Sequence, residues 1–449
     1  MIKSKLHSVL ALLLLLALLS GCSINGVQVP GALPPIAQTP PSVEQPSEPI
    51  PEQTPSASPI PTGPTDEELA LLGQQNIARL ALIEQAQLLA KTYDYDGAIA
   101  LLENAGALAN DDTQASIGLY KSQKAALERY DGPVRHVFFH SLIADTAKAF
   151  DGGNSSAGYD LWMTTVPEFQ AMLPQLLDRG YVLFSYDDLV VRAEDGTVTP
   201  KEIWLPAGKV PLVLSVDDVC YYEYMKGDGF ATRLDLDADG RVVTIMTDET
   251  GQESETRDGD VVPILDDFVA QHPEFSYKGA KGILALTGYQ GVLGYRITDL
   301  TGDALTNAQA RAKAVCDRLK ETGWRIASHS YTHNNYFQDG TVTMAQLEYD
   351  TGRWKRDIAP VTGETNLYVS PFGIHFDKND PRYRYLVEQG YDIYCPVGMD
   401  MATAWNGDNV IHNRLNLDGF TMRTRPELLR ELFFNAETVY DPSRPTPLH

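Results

Sequence analysis

The sequence predicts an α/β fold built on a parallel sheet or (β/α) barrel, and two observations carry that prediction. From residue 134 onward, short apolar runs that are typical of buried strands alternate with segments of helical periodicity, as in repeated βα units. Polar side chains also follow four of the strands directly, and in a barrel the carboxyl ends of the strands face one rim. The expected strands span residues 134–139, 181–185, 212–216, 282–286, 325–328, 367–370 and 392–395. The expected helices span residues 167–178, 261–271, 307–321, 344–358, 382–388 and 425–433, and residues 221–259 are expected to form an inserted hairpin.

The composition excludes several classes of protein. The chain has 449 residues, of which 43% are hydrophobic, so it can bury a sizeable core. Its formal net charge is −24, which argues against nucleic acid and against an anionic membrane surface as electrostatic partners. Four cysteines are too few for a disulfide scaffold and are not spaced as in a zinc ribbon.

Residues 1–21 are predicted to be a lipoprotein signal peptide. Lys3 and Lys5 precede an apolar run over residues 9–19, which is the order found in export signals and is short for a transmembrane helix. The run ends in Leu-Ser-Gly-Cys at Cys22, which resembles a bacterial lipobox. We therefore expect an exported chain, anchored through a lipid on Cys22 to the outer face of a bacterial membrane. The alternative is an ordinary signal peptide with an incidental cysteine.

Two further segments precede the α/β region. Residues 22–64 contain 12 prolines between Pro30 and Pro64, which favours an extended, semi-rigid linker over a packed core. Residues 65–130 are predicted to be helical, because Thr65 and Glu68 form a capping box before a run of helical periodicity. Residues 93–99 resemble the turn and second helix of a tetratricopeptide repeat. The helical segment is either a hairpin that docks a protein partner or a spacer packed on the next domain, and we favour the spacer.

A metal site is the central chemical hypothesis. Asp218 follows one predicted strand, whereas His329 and His333 follow another with a common metal-ligand spacing. One carboxylate and two imidazoles leave a coordination position open, as in catalytic zinc sites. The adjacent Asp217 can take a proton from an attacking water. Two adjacent aspartates that close an apolar strand are costly to bury without partners, which favours a functional site over incidental histidines.

Two motifs at these positions have the spacing of a known family. Ser215-Val216-Asp217-Asp218 is similar to the motif Thr-Phe-Asp-Asp, and residues 328–333 fit His-[Ser/Thr]-x-x-His. Residues 131–449 thus resemble the polysaccharide deacetylases with a NodB-type domain, carbohydrate esterase family 4. The resemblance implies an irregular (β/α) barrel, Asp217 as the base, and Asp218, His329 and His333 as ligands of a divalent metal. The expected metal is Zn²⁺, with Co²⁺ or Ni²⁺ as alternatives.

The remaining family motifs are altered. The third motif usually reads Arg-x-Pro-[Tyr/Phe]-Gly, whereas this chain has Val369 in place of the arginine that orients the base. Arg296 is one candidate replacement. The turn at Phe372 and Gly373 is expected to supply the oxyanion-binding backbone, and His140, after the first strand, is expected to contact substrate. The fifth motif supplies a general acid and has no clear match, so that His412 is the nearest candidate and His375 the next.

Three functions remain open on these residues. The leading one is a metal-dependent N-deacetylase that acts on an envelope or extracellular polysaccharide containing N-acetylhexosamine. The second is a degenerate homologue that binds glycan without cleaving it, which the altered motifs favour. The third is another two-His-one-carboxylate metalloenzyme such as an iron(II) oxygenase, although that hypothesis leaves the double Asp unexplained. Several aromatic residues are candidates for a sugar-binding groove or for the core: Trp162, Tyr221, Tyr222, Tyr224, Tyr289 and Trp405.

The predicted anchor is testable by lipid labelling. Cys22→Ala removes the thiol that would receive the diacylglycerol, so the variant should lose fatty-acid incorporation and lipid-mediated membrane retention. Metabolic labelling with a fatty-acid analogue measures this, with Cys316→Ala as the matched control. Equal labelling of Cys22→Ala and the unaltered chain would refute the anchor.

Overall fold

The computed structural model describes residues 63–448, so the predicted signal peptide, Cys22 and nearly all of the predicted linker lie outside the described residues. This part of the chain contains seventeen strands: β1 (Glu128–Tyr130), β2 (Arg135–Phe139), β3 (Tyr181–Leu183), β4 (Val190–Arg192), β5 (Val198–Pro200), β6 (Ile203–Leu205), β7 (Val210–Val216), β8 (Arg233–Leu236), β9 (Val242–Thr247), β10 (Glu253–Thr256), β11 (Ile283–Leu286), β12 (Arg325–Ser328), β13 (Leu367–Val369), β14 (Ile393–Cys395), β15 (Thr403–Trp405), β16 (Val410–His412) and β17 (Leu415–Asn416).

The described helices range from single turns to seven turns. They are α1 (Asp66–Lys91), α2 (Tyr95–Glu103), α3 (Asp111–Ala125), α4 (Thr146–Ala149), α5 (Ser156–Trp162), α6 (Val166–Asp178), α7 (Tyr186–Leu189), α8 (Val261–Gln271), α9 (Gly302–Glu321), α10 (Asn335–Gln338), α11 (Met344–Asp357), α12 (Ala359–Thr362), α13 (Pro381–Glu388), α14 (Gly419–Thr424), α15 (Pro426–Leu432) and α16 (Ala436–Val439). All seven strands expected from the sequence are present, with ends that differ by at most two residues.

A ten-stranded, largely parallel sheet organises the fold and confirms the α/β prediction. Its strand order is β15-β16-β14-β13-β12-β11-β7-β2-β17, and only β15 runs antiparallel to its neighbour. One edge of β7 pairs with β2. The first half of its other edge pairs with β3 and the second half pairs with β11. The carboxyl ends of the parallel strands therefore face one rim, which is where functional groups of such sheets collect.

The sheet curls until its two edges nearly meet. β16 lies beside one edge of the strand order and β17 forms the other edge, yet β16 ends at His412 and β17 begins at Leu415. Three peptide steps span at most about 11 Å, so the two edges lie close together. The chain crosses this seam at residues 413–414, where the Arg414 N–H donates to the Pro396 carbonyl over 2.9 Å. The result is an irregular, incompletely closed barrel.

The apolar core has an outer and an inner part. α6, α8 and α9 pack against the outer face, where alternate residues of β2, β7 and β11 are buried. The inward-facing residues of β3, β7 and β11–β14 share a second apolar cluster with α1–α3. Tyr93 links these helices to the barrel by donating its hydroxyl to the Glu274 carbonyl over 2.7 Å. The three helices thus pack on the α/β region, and the capping box at Thr65 and Glu68 is present at the start of α1.

The inserted segment differs from its prediction. Residues 221–259 contain three strands, β8, β9 and β10, which form an antiparallel sheet of their own and not a single hairpin. The third strand was missed because the segment from Glu253 to Thr256 is polar and three of its four residues are exposed, so it carries no apolar alternation. Among residues 63–448, no helix combines the length and apolar character needed to cross a bilayer.

Candidate active site

The structure brings the three predicted metal ligands together at the carboxyl rim of the barrel. Asp218 follows β7, whereas His329 and His333 follow β12, and their ligand atoms all lie within 4.8 Å of one another. The nearest Asp218 oxygen, Oδ1, lies 3.7 Å from His329 Nε2 and 3.8 Å from His333 Nε2. Ligand atoms of a tetrahedral zinc site are about 3.3 Å apart at the usual bond lengths, so small shifts would complete the coordination.

Adjacent aspartates face different partners because the backbone turns between them. Asp217 continues β7 and accepts bonds inside the barrel, whereas Asp218 has a φ of 63°. Such a conformation is uncommon for a residue with a Cβ and persists only where the surroundings enforce it. His333 and Phe372 also have positive φ, of 43° and 52°, and both flank the same cavity. Three of the nine non-glycine residues with positive φ in the described part of the chain therefore lie around the candidate ligands.

Hydrogen bonds orient two of the three candidate ligands. The Nδ1 of His329 lies 2.9 Å from the Val369 carbonyl, which can only accept, so Nδ1 carries the proton and Nε2 presents a lone pair toward Asp218. Tyr222 and Thr287 donate their hydroxyls to Asp218 Oδ1 over 2.5 and 2.9 Å. Burial lowers the pKa of His333 to about 4, which leaves this ring neutral, as a metal ligand must be.

A buried carboxylate fixes the loop that carries His329 and His333. Asp350 in α11 accepts hydrogen bonds from the Tyr331 N–H over 2.6 Å and from the Thr332 N–H over 2.7 Å. The Thr332 hydroxyl adds a third bond to the same carboxylate over 2.7 Å. Burial raises the pKa of Asp350, and these three donors oppose that effect. α11 thus sets the position of the His-x-x-x-His loop.

Arg414 holds Asp217 and was missed by the sequence analysis. Its guanidinium donates to both Asp217 oxygens, over 2.7 and 3.0 Å, and both side chains are at most 4% exposed. Burial opposes ionisation of Asp217, but Arg414 and then His329 outweigh it and keep its pKa below the usual range. Arg414 therefore makes the contact with the candidate base that the altered third motif leaves without an arginine. No local pattern marks it, because it lies on the short crossing between β16 and β17.

The suggestion that Arg296 replaces that arginine is wrong. Arg296 donates to the carbonyl oxygens of Cys220, Gln290 and Tyr221 and pairs with Glu223, and it makes no bond to Asp217. It fixes the loop after β7 instead.

A buried chain of hydrogen bonds continues inward from Arg414. Its Nη1 donates to Ser215 Oγ over 3.1 Å, and Ser215 Oγ lies 3.0 Å from His136 Nε2. The other nitrogen of His136, Nδ1, lies 3.2 Å from the Tyr186 hydroxyl, which is 2.8 Å from His412 Nδ1. The chain ends where His412 Nε2 lies 3.1 Å from the Val134 carbonyl. An arginine can only donate and a carbonyl can only accept, so the two ends fix the direction of every proton between them. Each residue between the two ends accepts a hydrogen bond from its neighbour on the Arg414 side and donates one to its neighbour on the Val134 side.

This chain corrects the role suggested for His412. Both of its ring nitrogens are engaged, its side chain is buried, and it does not line the cavity that contains Asp218. It borders a separate cavity of about 300 Å³ beside Trp405. His412 therefore lacks access to a substrate at the candidate metal site. His375 is exposed and also lies outside that site.

A cavity of about 770 Å³ surrounds the candidate metal ligands. His140 lies in its wall, and its Nδ1 is 3.1 Å from the Trp162 carbonyl, so Nδ1 donates there and Nε2 remains free. Phe372 and Gly373 also line it, but the Gly373 N–H already donates to the Ser370 carbonyl over 3.1 Å. Of the two predicted oxyanion residues, Phe372 is therefore the better placed. Of the six aromatic residues proposed for a sugar groove, four line the cavity, whereas Tyr221 and Trp405 do not.

Two of the solved structures that are similar to this chain are deacetylases. One is the deacetylase PplD of Streptococcus pyogenes in complex with acetate, with 12% identity and a TM-score of 0.37 over 68% of this chain and 99% of that one. The other is the BpsB deacetylase domain of Bordetella bronchiseptica, with 13% identity and a TM-score of 0.32 over 64% of this chain and 96% of that one. No family model and no curated protein matches the chain.

The direction of the buried chain predicts the tautomers of two histidines. We expect His136 to carry its proton on Nδ1 and His412 on Nε2, and both to stay neutral at pH 7, because burial lowers the pKa of His412 to about 4 and that of His136 well below 6.5. The ¹⁵N chemical shifts of the labelled histidine rings report these states. In Tyr186→Phe the His412 signals should change while those of the exposed His375 stay in place. Opposite tautomers, or titration of either buried ring near pH 6.5, would contradict the assigned direction.

Proposed function

We propose that the chain is a metal-dependent N-deacetylase of an N-acetylhexosamine-containing polysaccharide, with residues 131–449 as a NodB-type domain. One observation carries the proposal: a buried carboxylate held by an arginine lies beside the candidate metal ligands. His329 Nε2 is 3.9 Å from Asp217 Oδ2 and 3.7 Å from Asp218 Oδ1, so base and ligand face one point. Hydrolysis of an amide needs this combination of a proton acceptor and a group that stabilises negative charge.

The donor set fits a catalytic divalent metal. Asp218, His329 and His333 would hold it, and two imidazoles with one carboxylate suit Zn²⁺, with Co²⁺ or Ni²⁺ as alternatives. When bound, such an ion polarises a carbonyl oxygen and lowers the pKa of water. The partners of the ligands support this fit, since the Val369 carbonyl fixes the His329 tautomer and the Tyr222 hydroxyl orients Asp218.

Asp217 is assigned as the general base. Arg414 keeps it ionised and fixes the plane of its carboxylate through two parallel bonds, so it is ready to accept a proton from the attacking water. Arg414 itself is enclosed, with Nε bonded to the Cys395 carbonyl over 3.1 Å and its guanidinium carbon 4.2 Å from the centre of the Phe138 ring. The base therefore has little freedom to turn away from the site.

His140 replaces His412 as the proposed general acid. It lines the same cavity as Asp217, and the Trp162 carbonyl orients its ring so that Nε2 is free to face a substrate. A protonated Nε2 can give its proton to the amide nitrogen as the carbon–nitrogen bond breaks, so that the sugar leaves as a neutral amine. The Phe372 turn lies against His333, one of the proposed metal ligands, and the two ring centroids are 4.1 Å apart. The backbone of Phe372 is the proposed oxyanion donor.

The cavity wall suits a sugar. Trp162, Tyr224, Tyr289, Phe372 and Phe420 line it, and each side chain is at least 38% exposed. Aromatic rings offer flat apolar faces, and burying exposed aromatic surface is a large source of binding energy. Deacetylation creates cationic amines, and a chain with a formal net charge of −24 would attract them.

The two alternatives are weaker on this geometry. A degenerate glycan-binding protein was favoured by the missing arginine and the missing acid, but Arg414 and His140 stand in for both. An iron(II) oxygenase would use the same three ligands, yet it has no need for a second, arginine-held aspartate. We also propose that the chain is exported and lipid-anchored at Cys22, as its sequence predicts.

The metal assignment is tested by elemental analysis. The double variant His329→Ala/His333→Ala removes two of three ligands, so a chain that binds one divalent ion should lose it. The matched control is His272→Ala/His375→Ala, which removes two histidines away from the cavity and should keep the ion. One tightly bound ion in both double variants would show that the ligands lie elsewhere.

The adjacent aspartates allow base and ligand to be separated. Asp217→Asn removes the basic oxygen but leaves the ligands intact, so metal occupancy should persist while acetate release from an N-acetylglucosamine oligomer falls by about 10² to 10⁴, the usual contribution of a general base. Asp218→Asn should weaken metal binding, and excess metal should restore part of its activity.

The control for this pair is Asp239→Asn, which removes an exposed carboxylate in the β8–β9 turn and should alter neither property. Thermal unfolding of each variant excludes loss of fold. If Asp217→Asn released acetate at the unaltered rate, the proton acceptor would have to be another group. If the unaltered chain bound metal and oligomer but released no acetate from any glycan, the binding-only function would be favoured.

A further inference from the structure

The carboxyl end of α5 orients the proposed general acid. The Trp162 carbonyl, which accepts from His140 Nδ1, belongs to the last residue of this helix. The last carbonyls of a helix have no partners within the helix and are satisfied by groups from outside it. Because α5 has only seven residues, its own hydrogen bonds hold that end weakly. The position of the Trp162 carbonyl therefore depends on contacts from other parts of the chain.

Arg444, which follows α16, holds the backbone on both sides of Trp162. Its Nη1 donates to the Asp160 carbonyl over 2.8 Å, and its Nη2 donates to the Met163 carbonyl over 2.7 Å. A guanidinium is planar and rigid, so these two bonds fix the two carbonyls relative to each other. The Trp162 carbonyl lies between them in the chain and accepts from His140 instead.

A buried ion cluster, formed by Arg444, Arg423, Asp160 and Glu168, keeps Arg444 in this position. Glu168 accepts from Arg444 Nε over 2.6 Å and from Arg444 Nη2 over 2.7 Å, and neither side chain has exposed surface. Asp160 Oδ1 lies 3.2 Å from Arg444 and 3.1 Å from Arg423. Such a cluster is costly to remove from water, and its two arginines and two carboxylates balance in charge. None of the four residues lines the catalytic cavity, so the cluster acts on the site through the backbone of α5.

A glycine makes room for this cluster. Gly419 is the first residue of α14, and a Cβ there would overlap the Asp160 carbonyl oxygen and lie 2.5 Å from Arg444 Nη1. Gly419 is not among the glycines with positive φ, so the position needs glycine for space and not for backbone conformation. A larger residue would therefore push Arg444 or the end of α5 out of place.

We propose that Arg444 is a positioning residue for the deacetylation, which acts on His140 through the backbone of Trp162. Without its two bonds the Trp162 carbonyl is free to move, and His140 loses the fixed acceptor that turns Nε2 toward the substrate. The segment from Asp441 to Arg444 thereby has a part in the reaction although it does not line the cavity. The inference rests on the proposed function for the reaction in which His140 gives its proton.

Arg444→Lys tests the role without removing the charge of the cluster, because a lysine ammonium lacks the fork that bonds both carbonyls. Metal occupancy and the KM for an N-acetylglucosamine oligomer should stay unchanged. The kcat for acetate release should fall by about tenfold, a part of the roughly 10² to 10⁴ that a positioned proton donor contributes. The matched control is Arg430→Lys, which alters an arginine paired with Glu427 and Glu437 at the surface and should keep kcat.

A double-variant comparison separates positioning from a general loss of structure. Arg444→Lys should lower kcat in the unaltered chain but not in His140→Ala, because the group through which Arg444 acts is then absent. An equal fall in both backgrounds would overturn the proposal. Gly419→Ala perturbs the same contact from the other side and should lower kcat as well. Its control is Gly158→Ala, since that glycine of α5 has open space at the Cβ position.

The ring ¹⁵N chemical shifts of His140 provide a readout that needs no turnover. Nδ1 should carry the proton in the unaltered chain, and its signal should shift in Arg444→Lys and Gly419→Ala but not in the two controls. If these shifts changed while the unaltered chain released no acetate, the coupling of Arg444 to His140 would stand and the deacetylase function would fail. If the unaltered chain released acetate and Arg444→Lys matched it in kcat and in the His140 signals, the positioning role would be overturned and the function kept.

Discussion

The buried ion pair between Asp217 and Arg414 is the interaction on which the site depends. Both side chains are almost fully removed from water, and taking two charges out of water is costly unless geometry and additional hydrogen bonds compensate. Here the compensation is extensive, because the guanidinium bonds both carboxylate oxygens, Ser215 and the Cys395 carbonyl, and lies over the Phe138 ring. The pair joins β7 to the crossing between β16 and β17, so it ties the centre of the sheet to its seam.

The seam explains why the pair forms at all. The chain passes from one edge of the curled sheet to the other within residues 413–414, and the side chain of Arg414 enters the barrel there. From Ser215 the hydrogen bonds continue through His136, Tyr186 and His412 to a backbone carbonyl. A barrel interior is more commonly filled by layers of apolar side chains. In this barrel the apolar filling comes from the inward-facing residues of β3, β7 and β11–β14 with α1–α3, and the polar chain occupies the part near the seam.

At the end of β7 two neighbouring residues have different partners. Asp217 stays within the regular strand and faces the arginine, whereas Asp218 adopts a left-handed backbone conformation and faces the histidines. A single strand end thereby supplies the proposed proton acceptor and one proposed metal ligand without a loop between them. The cost is local strain, and strained residues recur at His333 and Phe372 around the same cavity, a distribution typical of functional sites.

The sequence alone determined the local features of this protein. Apolar runs and helical periodicity located seven strands of the sheet, because buried strands and amphipathic helices repeat at short range. The pattern Asp217-Asp218 with His329 and His333 identified the candidate ligands, since each group is marked by its own neighbours and the parallel strands carry both groups to one rim. Only the tertiary structure decided which distant residues complete the site. Arg414 lies 197 residues from Asp217, His412 is turned into the interior, and His140 is oriented by the end of α5, 22 residues further on. β16 and β17, with three and two residues, are too short to show a period, so the curl of the sheet that brings these groups together has no signature in the sequence.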